Sequence, residues 1–394
     1  MKLVVNVAPI APPLAGIGRY SRYLLAQLMS QQGICDLSGI TPFKALDRQQ
    51  LQQRITDCDN YALLQSEQSA NNSIKRHCLR LMRYLPFSYP AKRLLEHYGA
   101  RRHQFNRAET VYWEPSFLLL PIDLPSILTV YDLSHLSHPQ YHPPARVKQL
   151  ETHLERNIGQ ASRIVTISAF SKGEIIQAFG TDAHKISIVP PAVDDSFRLP
   201  VSAASLANLH QRYQLPQQFM LSVCTLEPRK NLATLMRAFS ALPSRVRKHF
   251  PLVLVGAKGW GDSELQSTIN RLEQRGELIR LGYVSQQDLP LLYRAAQLLV
   301  YVSLYEGYGM PVAEAMASGT PVITANVTSM PEVAAGAALL VDPLDEQMIG
   351  EAIQQVLEDQ VMREKLITAG TEKSLDYTWG RSADLLYDVM QGLC

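Results

Sequence analysis

Leu221-Ser-Val-Cys-Thr-Leu-Glu-Pro-Arg-Lys-Asn231 reads as a buried strand, a turn and the start of a helix. The apolar run through Val223 has the length and the bounding turn of a strand covered on both faces. A helical pattern runs from Asn231 to residue 241, so Arg229 and Lys230 fall at the carboxyl end of the strand. Open α/β sheets bind ligands at that end. Arginine offers a planar fork for phosphate oxygens and lysine a compact point charge. The pair therefore suits a diphosphate, and would offset the charge such a group gains on leaving.

The flanking sequence repeats the pattern. Residues 219–223, 252–255, 279–281, 298–302, 322–324 and 338–341 read as strands, and 231–241, 285–296, 311–318 and 345–357 as helices between them. Such alternation implies a parallel sheet. The N-terminal half does the same, with strands at 2–8, 127–130, 163–167 and 186–189 and a helix at 169–179 stopped by Gly180. A Pro/Gly loop occupies 9–18, after which Tyr20, Tyr23, Leu24 and Leu28 recur at helical spacing. Pro190-Pro191 ends the last strand of this half, and 191–200 reads as a linker. The expected fold class is α/β, with two Rossmann-like doubly wound domains, 1–190 and 201–375, facing an interdomain cleft.

A second motif is Glu306-Gly-Tyr-Gly-Met-Pro-Val-Ala-Glu314. Pro311 fits a first helical position, where its missing N–H is not needed. Gly307, Tyr308, Gly309 and Met310 then carry amides without intrahelical partners, which suit a polyhydroxylated or anionic ligand. Glu306 is expected in the loop and Glu314 in the first helical turn. Two carboxylates so spaced can accept hydrogen bonds from hydroxyls at both ends of one ligand, as a nucleotide sugar would offer.

Taken in order, Gly16-Ile-Gly-Arg19, Thr166 to Ser171, Ile188 to Asp194, Glu227 to Asn231, Val255 to Asp262 and the Glu306–Glu314 motif carry a family resemblance. The chain resembles the retaining glycosyltransferases of group 1, or family 4, which have the two-domain GT-B fold and a Glu-x7-Glu motif. The residues around Glu227–Asn231 and Trp260 most resemble bacterial mannosyltransferases that build O-antigen and other surface polysaccharides. The resemblance implies transfer of a hexose, mannose from GDP-mannose, to a glycan or polyprenyl-diphosphate-linked glycan, with an α-linkage formed by retention. Related transferases using UDP-glucose or UDP-N-acetylglucosamine, a sugar-nucleotide epimerase of the same architecture, and a catalytically silent scaffold stand as alternatives.

The resemblance also assigns roles. The first domain would bind the acceptor and the second the donor, with residues 376–394 forming a helix that crosses back to the first domain. Gly16 and Gly18 would let backbone amides approach the donor phosphate or the acceptor, glycine having no Cβ. Arg19 would add a charge there or face solvent. Many relatives have His-Asp where this chain has Tyr131-Asp132. Tyrosine donates a hydrogen bond but does not shuttle protons readily near neutral pH. Asp132 is thus the catalytic candidate of the first domain, beside Arg229, Lys230 and Glu306, and Tyr131 and Glu114 are candidates for the acceptor side. His135 and His138 lie close by and read as structural. Gly282, Tyr283 and Val284 would pass near the base through their backbone, with Gly256 and Lys258 on the same side and Trp260 either beneath the nucleotide or in the core.

Composition narrows the rest. The 394 residues carry a net charge of +2, with 46% hydrophobic and 19% charged residues, so bulk charge does not argue for nucleic acid. Five cysteines without a CxxC pair do not suggest a disulfide framework. No His/Cys cluster has metal-ligand spacing, and Arg229 with Lys230 would supply the charge neutralisation of a divalent ion. The N-terminal apolar run is too short for a signal peptide and no stretch has the length of a membrane span, so a cytoplasmic protein is expected. Between Lys75 and Arg107, nine basic residues stand against the single acid Glu96, with five aromatics interleaved. That segment reads either as a solvated basic face or as a peripheral contact with an anionic membrane carrying a lipid-linked acceptor.

Overall fold

The computed structural model describes residues 1–12, 14, 16–41, 44–67, 105–256 and 263–394. It divides the chain into two units, Met1–Pro190 with Trp379–Cys394, and Pro191–Thr378. Each is built on one sheet whose strands are short apolar runs joined by helices.

The first unit's strands are β1 (Lys2–Asn6), β2 (Asp36–Ile40), β3 (Ala45–Leu46), β4 (Thr110–Glu114), β5 (Ser126–Thr129), β6 (Arg163–Thr166) and β7 (Ile186–Ile188). Their order is β3-β2-β1-β4-β5-β6-β7, parallel except for the antiparallel edge pair β2–β3. Every residue of β4 and β5 is buried, as expected of central strands covered on both faces. The helix Trp379–Gln391 belongs to this unit. Its Ala383, Leu386 and Met390 are fully buried, and Trp379 stacks on Tyr23 with ring centroids 4.7 Å apart. Ser382 Oγ donates to the Pro190 carbonyl at 2.7 Å. Gly33 makes room for this helix, since a Cβ there would stand 1.7 Å from the Tyr387 hydroxyl.

The second unit's strands are β8 (Met220–Val223), β9 (Leu252–Val255), β10 (Leu278–Gly282), β11 (Leu298–Tyr301), β12 (Val322–Ala325) and β13 (Leu339–Val341), all parallel. The order β10-β9-β8-β11-β12-β13 is the 3-2-1-4-5-6 arrangement of doubly wound nucleotide-binding sheets. The strand order reverses between β8 and β11, so the carboxyl ends of those two strands flank the crevice where such sheets bind ligands. The core on one face joins Leu252, Leu254 and Val300 to Leu235, Phe239, Ile349, Ile353 and Val356. Residues 191–200 are fastened to this unit. Val193 N donates to the Tyr377 carbonyl at 3.1 Å, and Arg198 donates to the carbonyls of Ser374 and Tyr377 at 2.7 and 2.8 Å.

Several expected boundaries move. The loop at 9–18 ends earlier, because the helix Gly16–Leu28 already contains both glycines. The helix expected at 285–296 shortens to Leu289–Ala295, since Ser285 and Asp288 close a turn by bonding Asp288 N to Ser285 Oγ at 3.1 Å. Pro228–Lys230 forms a 3-10 turn and the helix proper is Leu232–Ala241. Strands β2, β3 and β4 and the helices Arg48–Glu67 and Pro144–Gln160 have no counterpart in the sequence pattern. Among the described residues no helix is long and apolar enough to cross a membrane. Most of the basic stretch 75–107 lies outside the described residues, as do Lys258 and Trp260.

Candidate active site

In the second unit the loops after β8 and β11 are stitched together. Asn231 adopts a left-handed conformation at φ 57°, and its amide donates to the carbonyls of Val302 at 3.0 Å and Pro343 at 2.6 Å. The Arg229 carbonyl accepts from Leu304 N at 2.9 Å and from Ser303 Oγ at 3.0 Å. These bonds bring the cationic pair onto Glu306, 76 residues from Lys230 in sequence.

Glu306 is buried, with 8% of its surface exposed. Its Oε1 receives Lys230 Nζ at 2.5 Å, Tyr301 OH at 2.8 Å and Ser303 Oγ at 2.7 Å. Its Oε2 pairs with Arg229 Nη1 at 2.8 Å. Arg229 also pairs through Nη2 with Glu227 Oε1 at 3.0 Å and donates to the Tyr305 carbonyl at 2.9 Å. Burial works to raise the Glu306 pKa, but the cations Lys230 and Arg229 prevail and bring it down to about 2. Burial opposes charge on Arg229 too, and Glu306 and Glu227 more than compensate, so its pKa rises. Cys224, at the same strand end, is pushed up to about 12 by burial, with Lys230 lowering and Glu306 raising it. Its thiol stays protonated and is no nucleophile.

Two expectations about the Glu306–Glu314 motif change. Gly309, at φ 112°, turns the chain one residue early, so the helix is Met310–Ala317 with Pro311 second. Glu314 is therefore the fifth helical residue rather than part of the first turn. A Cβ on Gly309 would lie 2.9 Å from Met330 Sδ. Ser329 Oγ holds the turn by donating to the carbonyls of Glu306 at 2.9 Å and Tyr308 at 2.7 Å. Glu314 accepts from Tyr293 OH at 2.9 Å. At the end of β10, Gly282 has φ 69° and its carbonyl accepts from Gly256 N at 2.8 Å. Tyr283 is exposed and Val284 buried.

The first unit treats its candidates differently. Glu114, the last residue of β4, is fully buried and accepts two bonds from Asn6 Nδ2 at 3.0 Å, one from Ser116 Oγ at 2.6 Å and one from Tyr112 OH. A carboxylate so enclosed is occupied by donors of its own unit. Tyr131 is also buried, and its hydroxyl donates to the Pro115 carbonyl at 2.8 Å, with burial foremost in raising its pKa. Asp132 is half-buried. Its Oδ1 accepts from Ser134 N at 3.0 Å and Ser134 Oγ at 2.6 Å, and Ser134 Oγ meets His142 Nε2 at 2.8 Å. His135 is buried and its pKa falls to about 4 through burial, against the pull of Asp132. Gly16 is exposed at the helix start, and Gly18 is buried with the Pro9 carbonyl oxygen 2.7 Å from where a Cβ would lie. Arg19 is half-buried on the same helix.

The structure thus gathers Arg229, Lys230 and Glu306 into one cluster. Tyr301 and Ser303, which the sequence motifs do not single out, complete it with Glu227, which lies in a motif without an assigned role. The signal for the first two is their alternation at the end of a strand, which puts both on one face. Among the described residues no group of His, Cys, Asp or Glu is placed to hold a metal ion.

Comparison with known proteins agrees with this architecture. Residues 208–373 match the model of "Glycosyl transferases group 1" and residues 16–197 that of "Glycosyltransferase Family 4". The chain is similar to the O-antigen chain mannosyltransferase B of Escherichia coli, with 35% identity over 96% of each chain. It is also similar to the O-antigen chain mannosyltransferase RfbU of Salmonella typhimurium, 25% identical over 92% of this chain and 93% of that one. Among solved structures it resembles WaaG, a glycosyltransferase involved in lipopolysaccharide biosynthesis. That likeness has a TM-score of 0.67 at 15% identity over the whole of both chains, and is one of fold.

Proposed function

The chain belongs to the group 1 glycosyltransferases, and we propose that it transfers mannose from GDP-mannose to a lipid-linked or oligosaccharide acceptor in O-antigen synthesis, with retention and an α-linkage. The observation that carries this reading is the near full-length likeness to an O-antigen chain mannosyltransferase. In this reading the second unit binds the nucleotide sugar. Arg229 and Lys230 stabilise the departing diphosphate, whose negative charge grows as the glycosidic bond breaks. Glu306 and the amides of Gly307 to Met310 orient the sugar, Glu314 holds the ribose, and the backbone of Gly282 to Val284 borders the base. The first unit binds the acceptor, with Asp132 as its acidic group and Gly16, Gly18 and Arg19 at the start of its first helix. A front-face reaction, in which a donor phosphate oxygen takes the acceptor proton, suits a cluster that presents cations rather than a nucleophile. The basic stretch 75–107 would meet the anionic cytoplasmic face of a membrane.

The test is incubation of purified protein with labelled GDP-mannose and synthetic lipid-linked acceptors, with UDP-glucose and UDP-N-acetylglucosamine in parallel. Mannosylated product with a retained anomeric centre is expected. Transfer from a UDP-sugar only, or release of an isomerised sugar without acceptor, would replace this reading.

A further inference from the structure

The start of the Glu306–Glu314 motif is held from the loop after β12 as well as from its own strand end. Glu306 N donates to Thr328 Oγ1 at 3.3 Å. The next residue, Ser329, is fully buried and reaches the carbonyls of Glu306 and Tyr308 with its one hydroxyl. Met330 then lies against Gly309. Three consecutive side chains thus meet one short stretch, 306–309. In an extended chain successive side chains point to opposite sides. Here the backbone turns at Thr328, whose φ is 58°. Among the described non-glycine residues with positive φ, it carries the one β-branched side chain. A branched Cβ crowds the backbone in that region, which makes threonine a poor occupant. Asn231 takes the same conformation in the loop after β8, but asparagine tolerates it. Gln214 and Ala335 take it where helices end, a common place for it. Strain of the kind seen at Thr328 persists only where the surroundings over-determine it.

We propose that Thr328 is a positioning residue for sugar transfer, fixing the backbone from Glu306 to Gly309 through its hydroxyl and its left-handed turn. The inference rests on the donor reading above, in which that stretch orients the sugar. The hydroxyl fixes the N–H of Glu306. The turn brings Ser329 onto two carbonyls of the same stretch and Met330 onto its glycine. The strain at Thr328 is therefore tied to the order of the motif loop. Relaxing it should stabilise the protein and loosen the loop together, whereas a threonine that served the fold alone would lose stability and activity in step.

The experiment makes Thr328→Ser, Thr328→Ala and Thr328→Gly in the full chain. Each is melted, and each is assayed for transfer from GDP-mannose, UDP-glucose and UDP-N-acetylglucosamine to synthetic lipid-linked acceptors. The alanine and glycine variants lack the same hydroxyl and differ by one Cβ, so their comparison isolates the turn. At an ordinary position the alanine variant melts higher. Here the glycine variant is expected to melt about 2–4 °C above it. Activity is expected to run the other way. kcat/KM should fall about fivefold in Thr328→Ala and about tenfold or more in Thr328→Gly, while Thr328→Ser stays within about twofold of wild type. Wild-type kinetics in Thr328→Gly overturns the proposal. So does Thr328→Ala melting as high as Thr328→Gly, and so does Thr328→Ser falling as far as Thr328→Ala. Absence of transfer from all three donors by wild type, or wild-type turnover in Lys230→Ala, would instead remove the donor reading, and this inference with it.

Discussion

Glu114 and Glu306 are both buried carboxylates, each at or beyond the carboxyl end of the strand that neighbours its unit's first strand, and their surroundings are opposite. Glu114 is enclosed by neutral donors, Asn6, Tyr112 and Ser116, and has no exposed surface. Glu306 keeps a small exposed fraction and faces Arg229 and Lys230. Neutral donors around a carboxylate make a closed network that fixes local structure. Cations around one make a charge that another anion can take over. On the proposed function, the difference separates a group that shapes its unit from a group that meets a ligand.

The comparison would break if removing Glu114 left stability untouched. Glu114→Ala deprives two buried donor side chains, Asn6 and Tyr112, and the half-buried Ser116 of their acceptor, at about 1–3 kcal/mol for each buried one. A loss of about 3–5 kcal/mol is expected, read as a fall in the denaturation midpoint. By contrast, Lys230→Ala should act on catalysis. Arg229, Tyr301 and Ser303 still hold Glu306, so the fold survives. A charge-assisted bond to the diphosphate is worth about 1.5–3 kcal/mol, so kcat/KM should drop about tenfold to a hundredfold. Steady-state kinetics alongside thermal melts would show whether the two effects divide between the units in this way.

Acid should separate the units more gently. Burial holds His135 neutral, with a pKa of about 4 against about 6.5 in an unfolded chain, while Asp132 pulls it up and His142 and Arg146 press it down. The unfolded chain thus binds the proton first, and this contribution to stability is lost as pH falls from about 6.5 towards about 4. Glu306, at about 2 when folded and 4.5 otherwise, contributes above pH 4.5 and loses that only as pH falls through about 2. At about pH 5, amide exchange corrected for intrinsic rate should therefore quicken in β5 relative to about pH 7.5, while β8 stays protected. His135→Leu should remove the difference.

The second unit is more legible in the sequence than the first for a physical reason. Strands β8 to β13 are near-continuous apolar runs punctuated by turns, which is how strands buried on both faces read. In the first unit β4 is Thr-Val-Tyr-Trp-Glu, whose polar ends are buried by hydrogen bonds that no pattern of hydrophobicity reveals. The helix Arg48–Glu67 buries Leu51, Ile55 and Cys58 between stretches of Gln, Arg and Asp, a sparse apolar face that is easily passed over. The functional residues of the motifs are legible as types and spacings, but not as partners. Glu306 meets Lys230 only because β11 lies beside β8, a fact of strand order that sequence spacing does not contain.

The smallest expected effect compares one deleted hydroxyl in each unit. Tyr301 OH donates to Glu306 Oε1 and accepts from Lys230 Nζ, both at 2.8 Å. Tyr20 OH, equally buried, donates to the Val189 carbonyl at 2.9 Å. Tyr301→Phe loses bonds to charged groups and should lower stability by about 1.5–3 kcal/mol, and Tyr20→Phe, which loses a bond to a neutral carbonyl, by about 1 kcal/mol. They part in kinetics. Without Tyr301 the Lys230 ammonium loses an acceptor that fixes its position, and an error in placement weakens its hold on a diphosphate. A fall in kcat/KM of about fivefold is expected for Tyr301→Phe, and wild-type kinetics for Tyr20→Phe at temperatures where both are folded. Equal kinetics in the two variants would mean that Tyr301 merely fills the strand end, and that the cluster around Glu306 is held by its charges alone.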